Sequence, residues 1–567
     1  MKKLLIYITA CGAITSSCSD FLDITPQNSI TNPFDSASSI ALYVNDVYSS
    51  LEGPLYQWDA LGDIYNRSMF DNAFTDDLYN NDNKWNLFSF TASSAPFDRW
   101  TACYEAIRKA NVGIEQLGVS EKLTEKEKER FLGDMHFLRA MFYLELWRFY
   151  GPVPLIEKSL DRTKDDIYIA RSDEQTILEF IVAEFDLASK MLPSELDDKE
   201  LGRATQGAAL GMMAVAYLHA AGTIDEAYYE NAYKAADILI SGDLKGTYDL
   251  FRTGVTPQER YQNLFLEQYE YNCEVIFDIQ YAYPYKFSTL QTIASPPKHA
   301  TDGYGWGNRD NPTQEIVDAY EMNDGSYFDW SNPTHSANPY ANRDARFYAS
   351  ILYNGALWKG ETLYTSTNVW SSAQGRFVPN APNGWGTATN STVTGYYLRK
   401  HMNESVVAGA DNRTKGVGGG HNLIVLRYAE ILLIYAEARN ETLAAPDQTV
   451  YDAVNAVRVR AGQPVLPQGL SRTQMRDRIR HERRIELAFE NKRYFDIIRW
   501  KAGTEYLNNE VHGMRITYSG NGSSPTIRYE RPVLIKKEFD PGKNYLLPVP
   551  QNAMNRNPNL YPNNPGW

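Results

Sequence analysis

The chain has 567 residues, 43% of them hydrophobic and 22% charged, so it can bury a sizeable core and does not have the composition of a disordered tether. Its formal charge of −14 argues against nucleic acid or an anionic membrane face as a partner. Aromatic content is 13%, with 39 Tyr and 11 Trp, which suits a ligand that stacks on rings as well as it suits helix interfaces.

The amino terminus opens with Lys2-Lys3, an apolar run from Leu4 to Ala10 that is too short to span a bilayer, and small residues leading to Cys18. That order is an export signal. The stretch Ile14-Thr15-Ser16-Ser17-Cys18 resembles a bacterial lipoprotein cleavage box, so residues 1–17 read as a leader and Cys18 as the lipidation site, with plain secretion as the alternative. One acyl chain contributes about 0.8 kcal/mol per buried CH₂, so a stable anchor needs more than one. Cys11 leaves with the leader, and Cys103 and Cys273 read as two buried thiols in preference to a disulfide.

Helical periodicity then dominates. Trp100 to Leu117 predicts a helix whose partner runs from Glu125 to Tyr150, where Phe131, Met135, Leu138, Phe142, Leu146 and Phe149 recur at steps of three and four before Gly151-Pro152 stops it. A second pair is expected across Thr205 to Gly242, and helix pairs of this length suggest tetratricopeptide-like units. Glu274 to Ile279 reads as a short strand. From Tyr283 to Gly420 no helical period persists except near Glu315 to Tyr320, and an irregular stretch this long is usually functional. A second helical block begins near Ile424, continues through Tyr451 to Ala461 and resumes from Thr473 to Trp500. Within it Glu482, Glu486 and Glu490 stand at i,i+4 spacing among arginines, which predicts a solvated ion-pair lattice. The expected fold is mainly α, a tetratricopeptide-like helical frame with long irregular loop insertions forming the ligand-binding surface. Its parts are a helical half over 18–270, the insertions over 271–420, and a helical half with a tail over 421–567.

Three separated stretches carry a family resemblance. The first is Trp100 through Asn111 with Phe137-Leu138-Arg139-Ala140 and Tyr150-Gly151-Pro152-Val153-Pro154-Leu155. The second is Arg427 through Ala438 with Glu482 through Glu490 and Arg493-Tyr494-Phe495-Asp496, and the third is the end, Leu546 through Pro550 to Asn564-Pro565-Gly566-Trp567. In order and behind a lipobox, they resemble the SusD/RagB family of Bacteroidetes surface lipoproteins. The resemblance implies a protein that binds and delivers cargo without catalysis or a cofactor, anchored in the outer membrane and exposed at the cell surface beside a SusC-like TonB-dependent transporter. It implies a glycan as cargo, with a peptide in RagB-like relatives as the alternative. It also implies that Arg139, Glu430 and Glu486 are structural positions.

A pyranose presents C–H faces and hydroxyl edges, so its site needs flat rings with polar groups at the rim. Asp76 to Trp85 supplies Tyr79 and Trp85 among Asp, Asn and Lys residues; Tyr281 to Asn308 supplies Tyr283, Tyr285, Tyr304 and a Trp306 flanked by glycines. The ligand-binding candidates are therefore Trp85, Tyr283, Tyr285, Tyr304, Trp306 and Trp330. Trp358, Trp370 and Trp385 read equally as ligand or packing rings, and Trp58, Trp100, Trp147 and Trp500 as packing. Asp76, Asp77 and Asp82 also suggest a calcium loop, but their spacing lacks the EF-hand pattern, and no metal ligand set is assigned. A glycosidase would need a pair of carboxylates that sequence cannot single out. No Gly-x-Ser-x-Gly elbow or phosphate loop is present, and His481-Glu482 lacks the second histidine of a zinc signature.

Overall fold

A computed structural model describes residues 32–52, 73–80, 88–94, 99–281, 294–299, 310–386, 391–405 and 422–567. The chain is mainly helical, and among the described residues its strands form two-stranded ladders. Helices Arg99–Gly118 and Glu125–Tyr150 pack together, as the sequence predicts, with Thr124 and Glu127 closing a capping box at the second. From Gly133 to Tyr150 every residue of that helix is buried, polar ones included, so it is enclosed on all sides and the apolar stripe understates its burial. Helix Glu174–Met191 packs on its other side, then Gln206–Thr223, then Tyr228–Ile240. The next neighbour in space is Tyr428–Thr442, followed by Gln448–Arg460 and Arg472–Glu486. The frame is thus one succession of helices, and 241–427 leaves it between two adjacent members. That succession is a tetratricopeptide-like arrangement.

Two expectations fail here. Leu423–Arg427 is a strand, paired antiparallel with Val275–Ile279, and the helix starts only at Tyr428. An apolar run of this length fits a buried strand as well as a helix turn. The stretch from Thr473 to Trp500 is not continuous either. Helix Arg472–Glu486 stops, Phe489 and Asn491 take φ of 63° and 58°, and a separate helix spans Arg493–Arg499. The insertion is also less irregular than expected. It holds short helices Gln314–Ala319, Pro333–Ala337 and Ala345–Ser350 and hairpins at 356–363 and 368–379.

The glutamates expected to be solvated are the fold's central brace. Glu482, Glu486 and Glu490 are 1%, 0% and 7% exposed. Arg427 donates to Glu274 at 2.7 Å, to Glu486 at 2.6 Å, and to both oxygens of Glu490 at 2.7 Å. Arg460 joins Glu274 at 2.9 Å and also Glu486, while Arg346 bridges Glu482 at 2.5 Å and Glu486 at 2.9 Å. Arg458 links Glu482 to Glu321. Lys400 donates to Glu490 and to the Ala488 carbonyl, both at 2.7 Å. Glu274, Glu321, Arg346, Lys400 and Arg427 belong to the insertion, and Arg458, Arg460, Glu482, Glu486 and Glu490 to the carboxyl-terminal block, so this network fastens one to the other. Burial opposes charge on Glu486, but Arg460, Arg427 and Arg346 outweigh it and hold the carboxyl at about 2. Arg139 pairs with Glu184 and Asn111, and Glu430 with Lys492, as structural positions should.

Cys103 is buried but Cys273 is exposed, which corrects the expectation of two buried thiols. Trp100 and Trp147 are buried in the core, and Trp500 packs against it.

Candidate functional site

Cys18, Asp82 and the rings of Trp58, Trp85, Tyr283, Tyr285, Tyr304 and Trp306 lie outside the described residues. What the structure does describe is the pair of ladders to which the ring-bearing segments are covalently joined. Leu78–Asn80 pairs antiparallel with Asp310–Pro312, with Asn80 opposite Asp310. Segments 81–87 and 300–309 therefore meet the ladder at the same end. The Asn80 amide donates to Asp310 Oδ1 at 2.5 Å across 230 residues of sequence, and both residues are buried. At the other end Thr313 donates its backbone N–H to the Asp77 carbonyl at 3.1 Å and its hydroxyl to the Asp76 carbonyl at 2.6 Å.

Asp76 and Asp77, weighed above as calcium ligands, are engaged by cations of the protein. Arg484 reaches Asp77 Oδ1 at 2.6 Å and Asp76 Oδ2 at 2.8 Å, and Arg493 reaches Asp76 Oδ1 at 3.1 Å. Burial disfavours charge on Asp76, but Arg484 and Arg493 outweigh it and keep its carboxyl below the ordinary range. Lys537 adds a bond to the Ala73 carbonyl at 2.7 Å. The paired aspartates are thus the bolt between this ladder and the last frame helices. Among the described residues no group of His, Cys, Asp and Glu is placed to hold a metal ion.

The second ladder, 275–279 with 423–427, also roots two segments at one end, 282–293 and 406–421. Asn422 accepts from the Tyr281 backbone N–H at 3.0 Å and donates through its side chain to Asp278 at 2.9 Å, while its backbone N–H donates to Glu270 at 2.5 Å. Burial pushes the Asp278 carboxyl up to about 6; burial, with Asp278 nearby, pushes Glu270 to about 7. A groove of about 350 Å³ runs beside this end, lined by Asn45, Lys199, Arg203, Asp278 and Gln280 among others.

Trp330 is the one ligand-binding candidate among the described residues. It is half-buried, its indole N–H donates to Asp318 at 2.9 Å, Arg531 stands 4.9 Å from its ring centroid, and Phe328 meets it edge-on at 5.1 Å. Arg531 would compete with a sugar for that ring. Trp358 is fully buried, Trp385 is half-buried, and Trp370 is 38% exposed. A further groove of about 740 Å³ is lined by Trp100 and Tyr104, but those rings pack on each other at 5.2 Å and are committed to the frame. Sequence reasoning missed the Asn80 to Asp310 brace and the aspartate bolt, because no local pattern joins residues hundreds of positions apart.

A family model described as "SusD family" matches residues 273–567, and one described as "Starch-binding associating with outer membrane" matches residues 20–218. A SusD-like protein of Formosa agariphila is 29% identical over 479 residues, covering 82% of this chain and 80% of the relative. Another from Bacteroides ovatus is 24% identical over 551 residues, covering 91% and 86%. Among solved structures, a SusD-like protein from Bacteroides fragilis superposes with a TM-score of 0.77 at 29% identity, covering 95% of this chain and 99% of that one. A SusD-like carbohydrate binding protein from the same species reaches 0.77 at 26% identity, covering 93% and 99%. The helical succession, the two family models and the near full-length superpositions agree, and the chain belongs to the SusD family.

Proposed function

We propose that this protein is a non-catalytic glycan-capture lipoprotein, anchored through Cys18 in the outer membrane with its loops outward, that passes oligo- or polysaccharide to a SusC-like TonB-dependent transporter. The observation that carries the reading is the braced ladder 78–80/310–312. The segments that carry Trp85 and Trp306, 81–87 and 300–309, continue the chain from the same end of it. In sequence, Trp85 stands close to Asn81, Asp82 and Asn83, and Trp306 close to Asn308, which is the mixture of rings and rim groups that a sugar needs. The family description and the carbohydrate-binding relative support the class of cargo and the outer-membrane setting. No helix among the described residues is long and apolar enough to cross a membrane, and Cys18 would supply the attachment.

The test is calorimetric titration of the chain that follows Cys18 against long polysaccharides and a peptide digest, with reducing ends assayed in parallel. Binding of a glycan without new reducing ends, abolished by Trp306→Ala, is the expected result. Binding of peptide alone would move the protein to the RagB-like reading, and released reducing ends would make it an enzyme. Co-purification of a transporter with the lipidated protein, lost in Cys18→Ser, tests the assembly.

A further inference from the structure

We propose that the paired hairpins 368–379 and 515–530 form a second glycan-contact surface, separate from the ladder-rooted loops, in which the Trp370 indole stacks on a sugar ring of a long chain. The inference rests on the glycan reading above. Trp370 lies opposite Phe377 in the first hairpin, and the two rings meet edge-on at 5.2 Å. Phe377 in turn stacks on Tyr518 of the second hairpin at 6.0 Å and 9°, and Tyr518 is the cross-strand partner of Ile527, which is 41% exposed. Trp370, Phe377, Tyr518 and Ile527 therefore make a continuous ridge. Its solvent-facing members are Trp370, 38% exposed, and Ile527.

The ridge is rigid by construction. The Asn368 amide donates to the Tyr518 carbonyl at 2.8 Å and accepts from the Tyr518 N–H at 2.9 Å, and the Thr367 N–H donates to the Ile516 carbonyl at 2.8 Å. Trp370 is seated on the turn of the other hairpin. A Cβ on Gly522 would lie 2.2 Å from the indole, so only glycine lets the ring settle there. An aromatic side chain held this way has little rotamer freedom left to lose when a ligand stacks on it. An ordinary surface tryptophan would not need a cut-away partner.

The surroundings disfavour a basic peptide and offer the neutral polar groups that suit a sugar. None of the chain's 70 acidic residues falls in 367–380 or 516–529, although the protein as a whole carries −14. Glu530, at the end of the second hairpin, is paired with Arg515 and Arg528, and beside Arg376 and Arg528 the segments supply Ser371, Ser372, Gln374, Asn521, Ser523 and Thr526, hydroxyl and amide groups suited to a hydroxyl-bearing ligand. A second contact on one long chain acts by raising effective concentration, so it strengthens binding of a polysaccharide and leaves a short oligosaccharide unaffected.

The experiment measures binding of wild type, Trp370→Ala, Gly522→Ala and Trp306→Ala, as the full mature chain, to α-glucan, β-glucan, xylan and mannan and to the hexasaccharide of whichever binds. We expect Trp370→Ala and Gly522→Ala to weaken polysaccharide binding about threefold to tenfold with hexasaccharide binding unchanged, and Trp306→Ala to weaken both. Gly522→Ala keeps the indole and only unseats it, so it separates the ring's placement from its mere presence. Undiminished polysaccharide binding in Trp370→Ala overturns the second surface. So does an equal loss on the hexasaccharide, which would make Trp370 part of the main site. If wild type binds none of the glycans, the glycan reading itself fails first, and the ridge with it.

Discussion

Arg427 shows how much this fold asks of single residues. Its guanidinium is fully buried and makes bonds to three carboxylates, each of which also holds another cation. A buried network of this kind is weak evidence of net stability, since desolvation offsets much of the attraction. Removing one member is a different matter, because it strands the opposite charge. Glu486→Gln leaves Arg427 and Arg460 undercompensated, and we expect a loss of about 3 kcal/mol or more in chemical denaturation, with Glu486→Asp retaining part of it. A variant as stable as wild type would show that the network is dispensable. Sequence could not reveal this burial. The i,i+4 spacing matches an exposed face equally well, and the left-handed turn at Phe489 and Asn491 that aims Glu490 inward has no glycine to announce it. Gly222 is a second such position. A Cβ there would sit 2.1 Å from the Arg499 carbonyl oxygen, so Gly222→Ala forces helices 206–223 and 493–499 apart and should cost about 1–3 kcal/mol by the same measurement.

At the scale of elements, the helices were the legible part. Thr124-x-x-Glu127 starts one, Gly151-Pro152 stops it, and the predicted span of Glu125 to Tyr150 coincides with the observed one. Of the ladders one strand was legible, read at Glu274 to Ile279 and observed at Val275–Ile279, whereas the three-residue strands 78–80 and 310–312 have no usable period and the partner of each of these strands is far away in sequence. On the proposed reading the ladders root the ring-bearing segments, and that can be tested without touching a ring. Arg484→Gln removes the main cation from Asp76 and Asp77 and loosens the 78–80/310–312 ladder from the frame helix that carries residue 484. If the Trp85 and Trp306 segments act together from that ladder, glycan affinity should fall about tenfold while the thermal midpoint falls only modestly, since misplacing an intact site is costly. Unchanged affinity would separate the ladder from the binding site. The ring candidates themselves were found by composition alone, as aromatic residues in polar segments outside the helical period.

At the scale of the molecule, the insertion and the frame are one cooperative body, because helices 228–240 and 428–442 are spatial neighbours and the 241–427 segment between them is tied back by buried ion pairs. Acid should therefore act on the whole fold, through two carboxyl groups of opposite sign. Glu486 is held at about 2 against an ordinary 4.5, so its contribution is complete above 4.5 and is lost as pH falls from there toward 2. Asp278 is pushed up to about 6 from 3.8 by burial, so it favours the folded state when protonated, and that advantage is lost as pH rises from 3.8 through 6. Each shift corresponds to a term on the order of 3 kcal/mol at about 1.4 kcal/mol per pH unit. Asp278→Asn isolates the second term. Asparagine is neutral at every pH and can still accept from the Asn422 amide, so variant and wild type should melt together near pH 4. Above pH 6 the variant should melt higher, because wild type then carries a buried carboxylate close to Glu270. The difference in melting temperature should open across that interval and widen further through about 7, because burial and then the Asp278 charge push Glu270 up to about 7, and stay constant beyond that. A difference that is flat from pH 4 to 8 would mean that Asp278 ionises as an ordinary aspartate.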